Sequence, residues 1–123
     1  MEWQYDESLP IYTQLVELLK QAIVSGEYAA GDRLPSVRDL AVEAGVNPNT
    51  MQRALQELER SGLIYTQRSS GRFVTEDLPS IDGARNALAD KAIAEFLQKM
   101  ASLGFSREDT IRILSKFEEE VKA

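Results

Sequence analysis

The chemistry legible in this chain belongs to amides and guanidiniums rather than to nucleophiles. Over residues 47–60 a helical pattern of about 100° per residue gathers Met51, Ala54, Leu55 and Leu58 on one side. Asn49, Arg53, Gln56 and Arg60 fall on the other side, with Gln52 flanking them. Amide side chains can bond an adenine edge at two points, and a guanidinium can do the same for guanine, both in a major groove. Any surface helix is polar on its outer face, so the face alone decides nothing. Two further features favour base recognition. The first turn carries the short polar side chains Asn47, Asn49 and Thr50, and the outer face has no acid before Glu57.

Cations are distributed unevenly around this segment. No Lys occurs between Lys20 and Lys91, and from Arg33 to Arg72 the cations are six arginines: Arg33, Arg38, Arg53, Arg60, Arg68 and Arg72. They oppose Asp39, Glu43, Glu57 and Glu59, so the stretch is locally positive at +2. The planar Arg fork suits phosphate and guanine in a way that Lys does not. Arg33, Ser36 and Arg38 cluster where a helix is expected to begin, a position that favours anions, and they are candidate phosphate contacts. Arg68-Ser69-Ser70-Gly71-Arg72 forms a polar apex flanked by two cations, suited to a minor groove and equally compatible with a plain surface turn.

These side chains need a frame. A first helix is expected from Pro10, with Ile11, Leu15, Leu18, Leu19, Ala22 and Ile23 as its apolar stripe and Ser25-Gly26 as its end. A short connection over residues 28–34 follows, with a turn signal at Gly31-Asp32. Ser36 and Asp39 are spaced to cap a second helix, which Gly45 stops. Asn47 is a strong cap for the third helix, with Pro48 at its first position. Two helices joined by Gly45-Val46-Asn47 outline a helix-turn-helix. Leu63–Thr66 and Arg72–Thr75 are β-prone runs on either side of a polar, Gly-containing link, which predicts a hairpin, or wing.

Asp77-Leu78-Pro79-Ser80 is expected to break the chain. Beyond it Leu88, Ala92, Ile93, Phe96, Leu97 and Met100 stripe a fourth helix ending near Leu103-Gly104. Ser106 and Asp109 cap a fifth, striped by Ile111, Leu114, Phe117 and Val121. The expected architecture is mainly α with a small hairpin: a winged helix-turn-helix over residues 1–76, then a two-helix tail over residues 77–123. Phe96, Leu97, Met100, Phe105, Ile111, Leu114 and Phe117 are too many apolar side chains for a lone helix pair to bury. Either the winged unit of the same chain or a second copy must cover them.

Composition narrows the function classes. The 123 residues hold 14 Lys+Arg and 20 Asp+Glu, for a net charge of −6, with no His and no Cys. A thiol nucleophile, a disulfide framework, an imidazole base and a typical zinc site are therefore excluded. Nothing arranges a catalytic group or a cofactor loop, so no enzyme and no cofactor is expected. Glu118, Glu119 and Glu120 fit a solvated helix end better than a metal site. The acidic total argues against a sequence-blind nucleic-acid coat. The N-terminus lacks the pattern of a signal peptide and no apolar run could cross a bilayer, so the cytoplasm is the expected location.

Three runs carry a family resemblance. They are Gly31-Asp32-Arg33-Leu34-Pro35-Ser36-Val37-Arg38-Asp39-Leu40-Ala41, then Gly45 through Ala54, then Leu58-Glu59-Arg60-Ser61-Gly62-Leu63-Ile64. With Pro10-Ile11-Tyr12-Thr13-Gln14-Leu15 ahead of them, they resemble the GntR family of bacterial transcription regulators over about residues 9–75. Many members place Arg at the positions of Pro48 and Gln52. The version here, Val46-Asn47-Pro48-Asn49-Thr50-Met51-Gln52-Arg53-Ala54, looks like the YtrA subfamily, as does the short tail. The resemblance implies groove and phosphate contacts from Arg33, Ser36, Arg38, Asn47, Asn49, Thr50, Gln52 and Arg53, and wing contacts from Arg68, Gly71 and Arg72. It also implies a homodimer built on the tail, with Leu88, Ile93, Phe96, Leu97, Met100, Phe105, Ile111, Leu114 and Phe117 as its apolar set. Repression of an operon, often for a transporter, through a two-fold symmetric operator is the implied function. No effector pocket is legible. A winged protein–protein adaptor is the competing class, but it would expose apolar or acidic residues on the third helix.

Overall fold

Helix α1 (Ile11–Val24) forms where Leu15, Leu19, Ala22 and Ile23 share one face, and all four are buried. The computed structural model describes residues 1–122, and the side chains of residues 1–118. Glu119, Glu120 and Val121, placed above in the helix end and the last apolar stripe, lie outside the described side chains. Gln14 fastens the start of α1, its amide donating to the carbonyls of Asp6 (2.8 Å) and Leu9 (3.1 Å).

Helix α2 (Val37–Ala44) begins as its sequence predicts: Ser36 Oγ accepts the Asp39 N–H at 3.1 Å. It ends at Gly45, whose φ of 70° is left-handed and therefore favours glycine. Two residues later the Asn47 side chain accepts the Asn49 N–H at 2.8 Å and starts α3 (Pro48–Arg60), with Pro48 where its missing N–H is harmless. Val46, at the centre of the turn, packs against the core. Leu40, Ala41 and Ala44 of α2 meet Met51, Ala54, Leu55 and Leu58 of α3 and the buried face of α1 in one apolar cluster. Burying each of these leucines fully contributes about 1.5–3 kcal/mol, so the core fixes the angle between the two helices of the motif.

Strands β1 (Ile64–Gln67) and β2 (Gly71–Val74) pair antiparallel, with Ile64 opposite Val74 and Gln67 opposite Gly71. The hairpin is one residue closer to its turn on each side than the sequence predicts. The segment expected to be a plain connection is a third ribbon along β2. Gly31 N–H donates to Val74 O (3.0 Å), Val74 N–H to Asp32 O (2.8 Å) and Leu34 N–H to Arg72 O (2.9 Å). Its short polar residues hid a strand-like pairing that only tertiary structure supplies.

The break expected at residues 77–80 is instead the start of a helix, α4 (Leu78–Ser102). Asp77 acts as its cap: its carbonyl accepts the N–H groups of Ser80 (3.0 Å) and Ile81 (3.3 Å), and its carboxylate accepts the Ser80 hydroxyl at 2.5 Å. Pro79 lies in the first turn, where no intrahelical donor is lost. Ile81 is buried in the core and Ala84 packs on it, so the first compact unit extends to Asn86, past the boundary drawn at residue 76.

The first ten residues are also fastened. Trp3 Nε1 donates to Glu43 Oε1 at 3.1 Å, and the Tyr5 hydroxyl donates to the carbonyl of Ala44 at 2.8 Å. Burial holds the Tyr5 hydroxyl above the usual phenol range. Trp3 and Tyr5 therefore brace the C-terminal end of α2, a role with no periodic signal in the sequence.

The second unit, residues 87–123, holds the rest of α4 and helix α5 (Arg107–Lys122). Leu103 and Phe105 N–H groups close the end of α4 on Met100 O (both 3.1 Å), with Gly104 at φ 93°. Ser106 and Asp109 cap α5 reciprocally, through Asp109 N–H to Ser106 Oγ (3.0 Å) and Ser106 N–H to Asp109 Oδ2 (3.2 Å). Those Ser106 bonds hold the Asp109 carboxyl below the usual range. Among the described residues of this unit, only Thr110 is buried. None of its described apolar side chains is. No described helix is long and apolar enough to cross a membrane.

Candidate nucleic-acid interface

Helix α3 turns the predicted face outward. Met51, Ala54, Leu55 and Leu58 are fully buried, which leaves Asn49, Arg53, Gln56 and Arg60 exposed and Gln52 and Thr50 half-buried. These polar side chains are not chemically equal. Arg60 Nη1 lies 2.6 Å from Glu57 Oε2, so its charge is partly answered within the helix. Arg53 has no carboxylate within ion-pair distance among the described residues, and its guanidinium carbon sits 4.7 Å from the ring centroid of Tyr12 on α1. Asn47 is exposed, but its side-chain oxygen is committed to the Asn49 N–H. Only its NH₂ group is available to an outside acceptor.

A second cluster gathers at the start of α2 and the turn end of the hairpin. A groove of about 700 Å³ is lined by Arg33, Ser36, Gly71 and Arg72, together with Asp39 and Thr66. Gly71 has φ 108°, and a β-carbon there would stand 3.2 Å from Arg33 Nε and 3.5 Å from Nη2. The missing side chain thus makes room for the Arg33 guanidinium. Ser36 presents its hydroxyl at the same edge while capping α2. Arg38 is exposed one residue into α2 and does not line the groove.

The wing departs from the sequence picture of an apex between two outward cations. Arg68 is exposed in the turn, where Ser69 adopts φ 68°. Arg72 is instead folded back: its side chain is 19% exposed and its Nε lies 3.8 Å from Glu59 Oε1. Glu59 also accepts the Thr66 hydroxyl, so one carboxylate joins α3 to the hairpin. The Arg72 Nε is buried without a hydrogen-bond partner. The physical reason is the register: Arg72 faces Thr66 across the ladder, on the side that meets α3. Tyr65 and Phe73, the next pair, stack at 5.7 Å between centroids.

The structure therefore groups the predicted residues into three sets. Asn49, Thr50, Gln52 and Arg53 share α3 with the cap Asn47. Arg33, Ser36, Gly71 and Arg72 surround one groove, and Arg38 and Arg68 stand exposed outside it. Sequence reasoning missed Tyr12, Thr66 and Glu59. Tyr12 lay inside a quoted motif, and the alternation of the strand could have pointed Thr66 toward Arg72.

Comparison with known proteins places this geometry. Residues 11–74 match the gntR family of bacterial regulatory proteins. The chain is similar to the helix-turn-helix regulator YhcF of Bacillus subtilis, with 35% identity over 119 residues covering 97% of this chain and 98% of that one. It is similar to the repressor YtrA of the same organism, 44% identical over 70 residues, covering 57% of this chain and 54% of that one. A GntR family regulator from Listeria monocytogenes superposes with a TM-score of 0.83 at 43% identity, over 91% of this chain and 98% of that one. The AraR DNA-binding domain in complex with operator ORX1 superposes at 0.52 with 28% identity, over 61% of this chain and 92% of that one. The tight turn before α3, the hairpin behind it and these likenesses lead to one assignment: the chain is a DNA-binding transcriptional regulator of the GntR family, in its YtrA subfamily.

Proposed function

We propose that the chain is a cytoplasmic homodimeric repressor that recognises a two-fold symmetric operator, without enzymatic activity and without a cofactor. The observation that carries base recognition is the outer face of α3, where Asn49, Gln52, Arg53 and Gln56 present amides and a guanidinium that no described acid neutralises. In this account Arg33, Ser36 and Arg38 seat the backbone phosphates, and Arg68, Gly71 and Arg72 act from the wing. Phosphate contacts fix register, and the α3 side chains specify sequence.

The tail supports the dimer. Ile93, Ile111 and Phe117 are 56%, 57% and 63% exposed, and Phe96, Phe105 and Leu114 are exposed as well. Leu88, Leu97 and Met100 are half-buried. A unit with no buried apolar side chain among its described residues gains little from folding alone, and a second copy is the cover that would bury this surface isologously. Two recognition helices would then meet successive major grooves. The repressor role follows that of the similar YtrA, a transcriptional repressor. A transporter-type operon is the target that the subfamily resemblance implies.

Selection of bound duplexes from a random pool tests this reading. The wild type should enrich a palindrome, and Arg53→Ala should weaken binding to it by about 1–3 kcal/mol. No enriched sequence at low salt would refute the proposal.

A further inference from the structure

We propose that Tyr12 is a positioning residue for base readout: its ring holds the Arg53 guanidinium in place on the recognition face. The inference rests on α3 being the base-reading helix. Tyr12 occupies the second position of α1, at the end of the buried stripe that continues through Leu15, Leu19 and Ile23. The ring is half-buried against the core, and the hydroxyl makes no hydrogen bond among the described residues. Packing at that point calls only for an apolar side chain. What the ring adds is an aromatic face, and the Arg53 cation lies 4.7 Å from its centroid, within cation–π range.

The partner determines what Arg53 can still do. A carboxylate would fix the side chain by taking its charge and at least one of its donors, as Glu57 takes Arg60 Nη1 at 2.6 Å. A π face fixes it and takes neither. All five N–H donors of Arg53 stay available to a base edge, on a side chain whose rotamers are already restricted. Freezing a long side chain on binding opposes affinity, and a ring that freezes it beforehand removes part of that opposition. Tyr12 belongs to a different helix from Arg53, so the packing of α1 on α3 is what sets the position of the cation.

The test is a double-mutant cycle on the full chain, using the duplex selected above and a random duplex of equal length. Tyr12→Leu should weaken operator binding by about two- to fivefold, the strength of an exposed cation–π contact. Random-duplex binding should be unchanged, and the effect should vanish in the Arg53→Ala background. Tyr12→Phe, which keeps the ring, should bind as wild type. Tyr12→Met serves as a second non-aromatic variant if Tyr12→Leu does not fold. Equal losses with and without Arg53, equal losses on both duplexes, or a Tyr12→Phe loss matching Tyr12→Leu would each overturn the proposal. Arg53→Ala without effect on operator preference would instead remove Arg53 from the interface, and the positioning role with it.

Discussion

In the proposed account Asn47 serves the fold and the interface through different atoms. Its oxygen caps α3 by accepting the Asn49 N–H, while its NH₂ group faces outward. Asn47→Ala should lower stability by about 1 kcal/mol, read as a lower urea midpoint at unchanged slope. Asn47→Asp keeps the capping oxygen and sets a negative charge against the DNA, so stability should hold while affinity falls. Wild-type affinity in that variant would exclude Asn47 from the interface. Capping residues were legible in the sequence because a helix start needs a side-chain acceptor two or three residues before a free N–H, and Ser36, Asn47 and Ser106 all supply one. The orientation of Arg72 was not legible. Its inward turn depends on Glu59 and Thr66, which only the register of the hairpin brings beside it.

At the scale of elements, local pattern identified all five helices and the hairpin, because each apolar stripe or β-prone run is declared by its own residues. Elements held by non-local pairing escaped. The ribbon at Gly31–Leu34 exists through its bonds to β2, and the N-terminal segment is held by single contacts from Trp3 and Tyr5 to the end of α2. The start of α4 was concealed by Pro79, read as a breaker although a first turn tolerates it. The tail makes a prediction of its own. Its apolar side chains are exposed, so Phe96→Asp or Phe117→Asp should place a charge in the proposed dimer contact and yield a 13.8 kDa species by light scattering. The winged unit should remain folded, since neither residue belongs to its core. A dimer that survives both substitutions would place the contact elsewhere.

For the whole molecule, a net charge of −6 is an average over an arginine-bearing stretch and an acidic remainder. Arg60 and Arg72 lie beside Glu57 and Glu59, whereas Arg33, Arg38, Arg53 and Arg68 have no acidic partner within ion-pair distance among the described residues. So few free cations would give weak sequence-blind binding, which the two linked copies of the proposed dimer would overcome on two half-sites of the correct sequence alone. Stoichiometry and spacing on the selected duplex test that account most directly. Sedimentation of the complex should show two 13.8 kDa chains per duplex, and moving the half-sites apart by about half of a 10-bp helical turn should abolish that species. One chain per duplex, bound equally well at either spacing, would contradict it.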